Sequence, residues 1–487
     1  MIAPPSDILP TGLLIGGEWV HQSSAGTMDH VYSATGQVQK TFPVAGPPEI
    51  DAAVAAARRA LTEYRRWTPL QRRAVMKRIA ALVDDHADEF ATIATLECGM
   101  IQSVAPGMGP KLSGWLEYCA GWADKLDGAV VPAVPGFNYT RPEPFGVIAV
   151  ILTWNGPTAS IGNKVAPALA AGCTVVLKPP ELAPFGSNLF ARLCLEAGLP
   201  PGVVNVVPGG PDAGDALIRH PGVDKISFTG GPRTARAIQA ACAESLTPLV
   251  LELGGKSPNL VFADADLERA ANAAADGVTR LAGQICVAPS RLFVEHSVYD
   301  EVLERVIDRM AAIQVGDPFD PATTMGPLIS QGACDRVLGL IEGAQDRGDG
   351  KLLIGGERLG GDLAGGFFVT PTAFGDVDNS SPIAQEEVFG PVLSIGRFED
   401  EEEAIALANA TPFGLAAYLH TGDLSRVFRV VDRLDAGNVA VNGGTSVNGP
   451  YAPFGGFKDS GYGTEGSLDG LKEFVRVKNV NLHVGPA

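Results

Sequence analysis

The sequence predicts an α/β fold with a doubly wound parallel sheet in one domain, a second α/β domain and a small β arm. Short apolar segments near 147–153, 174–178, 203–207, 224–228 and 247–252 alternate with helix-length segments rich in Ala and Leu. Such alternation is typical of repeated βαβ units. The runs VIAVILT, TVVLK and VVNVV are apolar throughout, as expected for parallel strands buried on both faces. We therefore predict a Rossmann-like sheet with ligands at the carboxyl ends of its strands.

Before this sheet, a helical lobe and an extended hairpin are predicted. Across residues 48–124 apolar side chains recur every three or four positions, with charged residues at most of the others, which is the period of amphipathic helices. From 126 to 145 the prolines of LDGAVVPAVPGFNYTRPEPF exclude a helix, and its Val, Phe and Tyr residues favour strands. We expect a protruding hairpin there.

After Gly254 the alternation partly repeats and predicts the second α/β domain. SPNLVF, RLFVEH and LSIGRF have the pattern of strands, and helices are expected near 266–282, 297–313 and 330–346. The final stretch EFVRVKNVNLHV alternates like a strand, and we expect it to pair either with the 126–145 hairpin or with another subunit. The predicted domains are a cofactor domain of residues 1–125 and 146–254, a catalytic domain of residues 255–462, and an oligomerisation arm of residues 126–145 and 463–487.

Composition argues against several classes of function. The 487 residues include 37 basic and 55 acidic side chains, a net charge of −18, so the average surface repels nucleic acid. The longest apolar run, Val165 to Leu177, is shorter than the roughly 20 residues that a membrane helix needs. Seven cysteines without a CxxC pair, and a start MIAPPSDILPTG unlike a signal peptide, predict a soluble cytoplasmic protein. The absence of HExxH and of paired Cys/His spacing predicts that no catalytic metal is used.

Two residues outside the apolar patterns are candidate catalytic groups. Cys286 lies in GQICVAPSR, in a glycine-containing turn after a long predicted helix. A thiolate there is a strong nucleophile if a base is near, but free cysteines are also common small core residues. Glu252 ends an otherwise apolar strand at the Gly-Gly turn of LELGGK. Burial would raise the pKa of this carboxyl toward neutrality and suit a general base, whereas the alternative is a solvated glutamate at a strand end.

Three further segments follow predicted strands of the first sheet and are candidate ligand contacts. Asn155 in TWNGP can donate its amide to a developing oxyanion, although Asn also favours turns. KPPE provides Lys178 and Glu181, which either hold a ribose and its phosphates or form a surface ion pair. FTGGPRTAR enters a helix through Gly230 and Gly231, so backbone amides can approach a pyrophosphate; a tight turn without ligand is the alternative.

Together these segments resemble the aldehyde dehydrogenase superfamily over almost the whole chain. TWN, KPPE, FTGG, LELGGK, GQIC, EEVFGP and PFGGFKDSG occur in the order of that superfamily's motifs. The resemblance implies that Cys286 is the nucleophile, Glu252 the general base that activates water, and the Asn155 amide with the Cys286 backbone N–H the oxyanion hole. The implied reaction is NAD-dependent oxidation of an aldehyde to a carboxylic acid, through a thiohemiacetal and a thioester on Cys286.

The resemblance also implies a dinucleotide cofactor. Lys178 and Glu181 would hold the adenosine ribose, and because the Glu181 carboxylate would repel a 2′-phosphate, NAD is favoured over NADP, the weaker alternative. The expected partners are a small-molecule aldehyde and further copies of this chain, as a homodimer or homotetramer. The residues that the resemblance assigns to the cofactor are Thr153, Trp154, Lys178, Glu181, Gly210, Gly230, Gly231, Leu253, Glu387 and Phe389.

Four residues depart from the superfamily's pattern. Gly156 and Asn163 stand where aromatic residues are frequent, which implies a wider and more polar substrate tunnel. Gly231 stands where Ser is usual and Ala235 where Gly is usual. These last two changes imply that a hydroxyl contact to the cofactor is lost and that the packing of the following helix shifts.

Three rival functions remain open from the sequence. A CoA-acylating semialdehyde dehydrogenase would cleave the same thioester with a thiol, but Glu252 favours water. A cysteine hydrolase would need a histidine beside Cys286, and none of the seven histidines lies in a matching motif. A non-catalytic dinucleotide-binding relative is the third alternative, against which the joint presence of Cys286, Glu252 and Asn155 argues.

Overall fold

The computed structural model describes residues 6–132, 136–443 and 449–483. Parts of the predicted cofactor domain (1–5) and of the predicted arm (133–135 and 484–487) therefore lie outside the described residues. Two mixed, mainly parallel sheets organise the described chain. The predicted α/β class is confirmed.

The first sheet has eight strands, of which the five central ones are parallel. Numbered along the chain, the parallel strands lie in the order 3-2-1-4-5, the order of a doubly wound Rossmann-like sheet. The edge strands are antiparallel. In spatial order the strands are Glu18–Val20, Leu13–Ile15, Val204–Val206, Thr174–Lys178, Val147–Ile151, Lys225–Thr229, Leu249–Glu252 and Gly461–Tyr462.

Helices cover both faces of this sheet, which explains the uninterrupted apolar strands. Along Val147–Ile151 every residue is buried, and alternate side chains enter two different hydrophobic cores. The order of the strands reverses between Val147–Ile151 and Lys225–Thr229, so ligands are expected at the carboxyl ends of these two strands. The helices that connect the parallel strands are Pro157–Ala171, Phe185–Glu196, Pro211–Ile218 and Pro232–Ala243.

The amphipathic region predicted at 48–124 divides into four helices: the first packs mainly on one face of the first sheet, and the other three pack on the opposite face. Thr68 begins one of them with a capping box that includes Gln71. Gly99 ends another in the left-handed conformation, with φ of 67°. The four helices are Pro47–Tyr64, Pro69–Asp85, Ala87–Cys98 and Met108–Trp122, and the antiparallel strands Thr27–Tyr32 and Gln37–Pro43 precede them.

The second sheet has seven strands, six of them parallel. The helices predicted near 266–282, 297–313 and 330–346 are confirmed as Leu267–Thr279, Tyr299–Ala311 and Gln331–Arg347. In spatial order the strands are Lys351–Ile354, Thr372–Gly375, Val392–Phe398, Arg291–Glu295, Pro258–Val261, Ala416–His420 and Asn438–Val441. The remaining elements are the helices Pro382–Gln385, Glu401–Asn409, Leu424–Val431 and Ser467–Lys472 and the paired strands Phe413–Gly414 and Phe457–Lys458.

The C-terminal strand Val475–Leu482 pairs antiparallel with Phe137–Pro144 of the same chain. The first of the two predicted partners is therefore the correct one. The strand Gly461–Tyr462 belongs to the first sheet although it lies inside the segment predicted as the catalytic domain, and the predicted domain boundaries stay predictions. Among the helices of the described ranges, none is both long and apolar enough to span a membrane.

Candidate active site

A cavity of about 480 Å³ brings together three residues that lie far apart in the sequence. Cys286, Glu252 and Asn155 all line it, and so do Thr153 and Leu253. Its volume is within the range of small-molecule sites. The cavity thus holds a thiol, a carboxyl and an amide, the three functional groups that the sequence predicted to act together.

The loop that carries Cys286 begins with three consecutive residues in the left-handed conformation. Leu281, Ala282 and Gly283 have φ of 50°, 53° and 72°. A Cβ atom on Gly283 would lie 2.0 Å from the carbonyl oxygen of Gly390, so this position requires glycine. Strained backbone of this kind persists only where surrounding contacts enforce it, and it concentrates at functional sites.

Hydrogen bonds from Gln284 and Asn155 hold this loop. The Gln284 side chain donates through Nε2 to the Leu281 carbonyl (2.9 Å) and accepts from the Ile329 N–H (2.9 Å). Asn155 Nδ2 donates to the Gln284 carbonyl oxygen (2.9 Å). The amide predicted for the oxyanion hole therefore bonds directly to the loop that carries Cys286, and its second N–H is available for another acceptor.

The Cys286 side chain is half-buried and has three carboxyl groups in its surroundings. Burial and the carboxyl groups of Glu387, Glu252 and Glu465 raise the pKa of the Cys286 thiol to about 12. The resting group is therefore the neutral thiol. A bound cation or a nearby proton acceptor is needed to form the nucleophilic thiolate at neutral pH.

Glu252 is 4 % exposed, and within the described chain neither of its side-chain oxygens has a hydrogen-bond partner. The alternative of a solvated glutamate at a strand end is therefore wrong. Burial, with a further contribution from Glu465, raises the pKa of Glu252 well above its usual value, while Lys164 acts in the opposite direction. A buried carboxyl without partners is costly unless it serves a function.

A buried ion pair between Lys164 and Glu465 lies next to Glu252, and the sequence did not predict it. Lys164 Nζ also bonds Ser227 Oγ (3.1 Å), and Asn163 Nδ2 donates to Glu465 Oε2 (2.6 Å). Asn163 lines the cavity as predicted for a tunnel residue. The available signal was Lys164 itself, since a lysine within an otherwise apolar helix needs a partner.

Further residues that line the cavity were missed because their sequence context is ordinary. Lys111 lies on an amphipathic helix, where a charge is usually solvated, and Arg280 follows a helix, where a cation favours the dipole. Trp115 looks like a core residue. All three line the cavity. Gly156 lines it too, and no described atom lies within 4 Å of the position that a Cβ on Gly156 would take.

The residues predicted to contact phosphates lie at the N-termini of two helices. Gly231 begins Pro232–Ala243 and Gly210 begins Pro211–Ile218, so neither start has a capping side chain. No described atom lies within 4 Å of a Cβ built on either glycine. Such N-termini offer backbone N–H groups to phosphate oxygens.

Lys178 lies beside the first turns of the second of these helices, and Glu181 is near enough to Lys178 to influence its charge. A Cβ on Gly214 would be 3.6 Å from the Lys178 side chain. Burial lowers the pKa of Lys178, and the charge of Glu181 partly opposes this shift. Ammonium, carboxylate and free backbone amides together form a donor and acceptor set that fits a dinucleotide with its ribose hydroxyls and phosphates.

Glu387, Phe389 and Trp154 are the remaining side chains that the resemblance assigns to the cofactor. Glu387 accepts a hydrogen bond from the Gly255 N–H (3.0 Å), and burial raises the pKa of Glu387 to about 7. The Phe389 and Trp154 rings meet edge to face with centroids 5.3 Å apart. Of the ten predicted cofactor contacts, Thr153 and Leu253 line the large cavity, and the others lie outside its lining.

The model of the aldehyde dehydrogenase family matches residues 19–480. The chain belongs to the aldehyde dehydrogenase family. The aldehyde dehydrogenases of Alternaria alternata and Davidiella tassiana are each 40% identical to it, over 98% of this chain and 96% of the relative. Within the described ranges of this aldehyde dehydrogenase, no group of three or more His, Cys, Asp and Glu side chains could hold a metal ion.

Two solved structures share the fold over almost the whole chain. The betaine aldehyde dehydrogenase of Staphylococcus aureus in complex with NAD+ has a TM-score of 0.96 and 35% identity, covering 98% of this chain and 96% of that chain. HpcC from Thermus thermophilus has a TM-score of 0.94 and 39% identity, covering 98% and 95%. The similarity thus extends over both sheets.

Proposed function

We propose that this aldehyde dehydrogenase uses NAD to oxidise an aldehyde to a carboxylic acid through a thioester on Cys286 that water hydrolyses. The observation that carries the proposal is the unpartnered, buried carboxyl of Glu252 in the same cavity as Cys286 and the Asn155 amide. A thiol alone would fit many sites. A buried base beside it, with no structural partner, fits a site that must activate water.

In the first half-reaction, the Cys286 thiol releases its proton to solvent, its sulfur bonds to the aldehyde carbon, and the carbonyl oxygen becomes negative. Asn155 Nδ2 retains one N–H beyond its bond to Gln284, and with the Cys286 backbone N–H it would stabilise that oxygen. Bound NAD supplies the acceptor for the hydride that leaves the adduct, so that a thioester remains on Cys286.

In the second half-reaction, Glu252 would take a proton from water while the water oxygen bonds to the thioester carbon. The carbon–sulfur bond then breaks, the acid leaves, and the Cys286 sulfur regains a proton. The raised pKa of Glu252 suits this step, because a carboxylate with a higher pKa is a stronger proton acceptor. The same burial that raises the pKa excludes competing nucleophiles.

The choice of NAD rests on the phosphate and ribose contacts and on relatives. Gly231 and Gly210 leave two helix N-termini uncapped, and Lys178 with Glu181 provides a cation and a carboxylate beside one of them. The Staphylococcus aureus relative was crystallised with NAD+. The Glu181 carboxylate would bond ribose hydroxyls and repel a 2′-phosphate, so we propose NADP as the weaker substitute.

The test is NADH formation from an aldehyde panel by the wild type, by Cys286→Ala and by Cys242→Ala. Cys242 is also buried and lies outside the cavity lining, so it controls for the loss of a thiol. We expect Cys286→Ala to lose turnover while its melting temperature and NAD binding are kept, and Cys242→Ala to remain active. Retained turnover in Cys286→Ala, or a rate that depends on added CoA, would overturn the proposal.

A further inference from the structure

Two cationic side chains line the cavity that holds Cys286. Lys111 lies on the helix Met108–Trp122, and Arg280 directly follows the helix Leu267–Thr279. Trp115, one turn after Lys111, lines the same cavity. The Lys111 and Arg280 side chains are exposed enough to keep water at their charged ends. They therefore lie on the solvent side of the site, with the thiol deeper within.

The two cations influence each other. Burial lowers the pKa of Lys111, and the positive charge of Arg280 lowers it further. Like charges placed this close repel each other unless an anion lies between them. Among the described residues, neither Lys111 nor Arg280 forms an ion pair with a carboxylate of the protein.

The acidic residues of the cavity do not balance these cations. Glu465 is paired with Lys164, and Asp276 is paired with Arg309 at 2.8 Å. The Glu252 carboxyl is buried, and among the described residues it pairs with neither Lys111 nor Arg280. Lys111 and Arg280 are therefore the two cations of the cavity lining that have no carboxylate partner among the described residues, and they can attract an anionic group of a substrate.

We propose that the substrate is an aldehyde that also carries a carboxylate, a semialdehyde of a dicarboxylic acid, with its carboxylate between Lys111 and Arg280 and its aldehyde carbon at Cys286. The inference rests on the proposed function and adds its substrate class. The volume of about 480 Å³ and the open space at Gly156 accept a chain of several carbons. Betaine aldehyde, for which the Staphylococcus aureus relative is named, carries a fixed positive charge that these cations would repel.

The first test compares kcat/KM for 4-oxobutanoate, hexanal and betaine aldehyde. We expect the wild type to prefer 4-oxobutanoate over hexanal by about ten-fold, and Lys111→Met and Arg280→Gln each to lower that preference by about five-fold, as expected for ion pairs at partly exposed sites. Arg280→Glu should raise kcat/KM for betaine aldehyde relative to kcat/KM for 4-oxobutanoate. Lys351→Met, an exposed lysine outside the cavity lining, should change none of these ratios.

The second test measures the same charge effect without turnover. Iodoacetate and iodoacetamide both alkylate a thiol by forming a carbon–sulfur bond and releasing iodide, and they differ chiefly in charge. The rate of alkylation of Cys286 by each reagent is followed by peptide mass spectrometry. The iodoacetate rate divided by the iodoacetamide rate should be at least five-fold higher in the wild type than in the double variant that combines Lys111→Met with Arg280→Gln. This readout does not depend on the aldehyde or on the cofactor.

The outcomes separate the two proposals. NADH formation with hexanal as good a substrate as 4-oxobutanoate, or an alkylation ratio that the variants leave unchanged, would overturn the carboxylated substrate and leave aldehyde oxidation standing. Absence of NADH from every aldehyde would overturn the proposed function, while the alkylation ratio would still report whether the site attracts anions.

Discussion

The surroundings of Glu252 determine the pKa of its carboxyl, and with it the ability of this residue to act as a base. A carboxyl at a strand end normally ionises below neutral pH, but here burial and the neighbouring Glu465 raise the pKa of Glu252 well above its usual value. Lys164 limits the shift because it brings a positive charge into the same buried region. Glu252 and Glu465, together with Glu387, also raise the pKa of the Cys286 thiol. The pKa values of the base and of the nucleophile therefore depend on the same group of carboxyls.

At the residue scale, Gly156 tests whether the cavity is wide because a ring is missing. Its φ of 179° is an extended conformation open to any residue, and a Cβ there meets no described atom within 4 Å. We expect Gly156→Phe to lower kcat/KM for phenylacetaldehyde at least ten-fold and to leave acetaldehyde within about two-fold, since a ring would occupy the cavity.

The control is Gly339→Phe, at an exposed glycine on Gln331–Arg347 that is equally open and lies outside the cavity lining. Gly339→Phe should leave kcat/KM for both phenylacetaldehyde and acetaldehyde unchanged. A wild type that already excludes phenylacetaldehyde and prefers acetaldehyde would show that the wide-tunnel idea is wrong.

The sequence identified residues whose local context is unusual and missed those whose role depends on distant partners. Glu252 interrupts an apolar strand, and Cys286 lies in a recognisable motif. Glu465 meets Lys164 across 301 positions, and no local pattern reports that pairing. In the sequence, Arg280 is an ordinary basic residue at the C-terminus of a helix. Only the folded chain shows that it lines the cavity.

At the scale of elements, a side chain of one helix accepts hydrogen bonds from the N-terminal N–H groups of another helix. Phe185–Glu196 begins after Pro184, which has no side-chain acceptor. Glu97, on Ala87–Cys98, accepts instead from the Phe185 and Gly186 N–H groups at 2.8 and 3.2 Å. Burial raises the pKa of Glu97 to about 8, so this buried carboxyl joins two helices and is protonated at neutral pH.

We expect the two substitutions Glu97→Gln and Glu97→Ala to behave differently with pH. Because folding raises the pKa of Glu97 from 4.5 to about 8, its contribution to stability is complete below pH 4.5 and declines as the pH rises toward 8. Glu97→Gln keeps an acceptor without a charge, so it should match the wild-type melting temperature at pH 5 and exceed it at pH 8. Glu97→Ala should be less stable than the wild type at pH 5, by about 1–3 kcal/mol, and this deficit should shrink or reverse at pH 8, because the variant has no carboxyl to ionise.

Melting temperatures measured from pH 5 to pH 9 for the three proteins check this expectation. The informative quantity is the difference between Glu97→Gln and the wild type, because other titrating groups are common to both. A difference that does not change with pH would show that the Glu97 carboxyl does not hold its proton in the folded protein.

The bounds of strands and helices could be predicted where burial of one or both of their faces leaves an apolar pattern in the sequence. They were harder to predict where a contact with a distant residue determines the backbone conformation. Val147–Ile151 and Thr174–Lys178 match their apolar runs closely because both are buried throughout. The helix expected to reach 282 ends at Thr279. The close approach of Gly283 to the Gly390 carbonyl imposes the left-handed turn that follows, and nothing near position 283 in the sequence announces it.

At the scale of the whole molecule, the arm is the part of the described chain that most needs a partner. Val475–Leu482 and Phe137–Pro144 form a separate two-stranded sheet, and Val477 on it is 70 % exposed. Such a sheet is marginal in water, and its open edges invite pairing with another chain. We therefore propose that the arm contacts a second copy in a homodimer or homotetramer.

Val477→Asp should shift the oligomer to a smaller species in size-exclusion chromatography with light scattering, because a carboxylate would be placed at the interface. Val38→Asp is the matched control, since Val38 is also an exposed valine on a strand but lies away from the arm. It should leave the mass unchanged. A wild type that is monomeric at micromolar concentration would contradict the proposal.

The central claim is that Cys286 carries the acyl group and that Glu252 activates the water which removes it. Rapid mixing of Glu252→Gln with NAD and an aldehyde tests both halves in one trace. We expect a burst of about one equivalent of NADH per site followed by slow turnover, with the acyl mass on the Cys286 peptide, because acylation proceeds while hydrolysis is blocked. A missing burst, or full steady-state turnover without a trapped acyl group, would contradict the account.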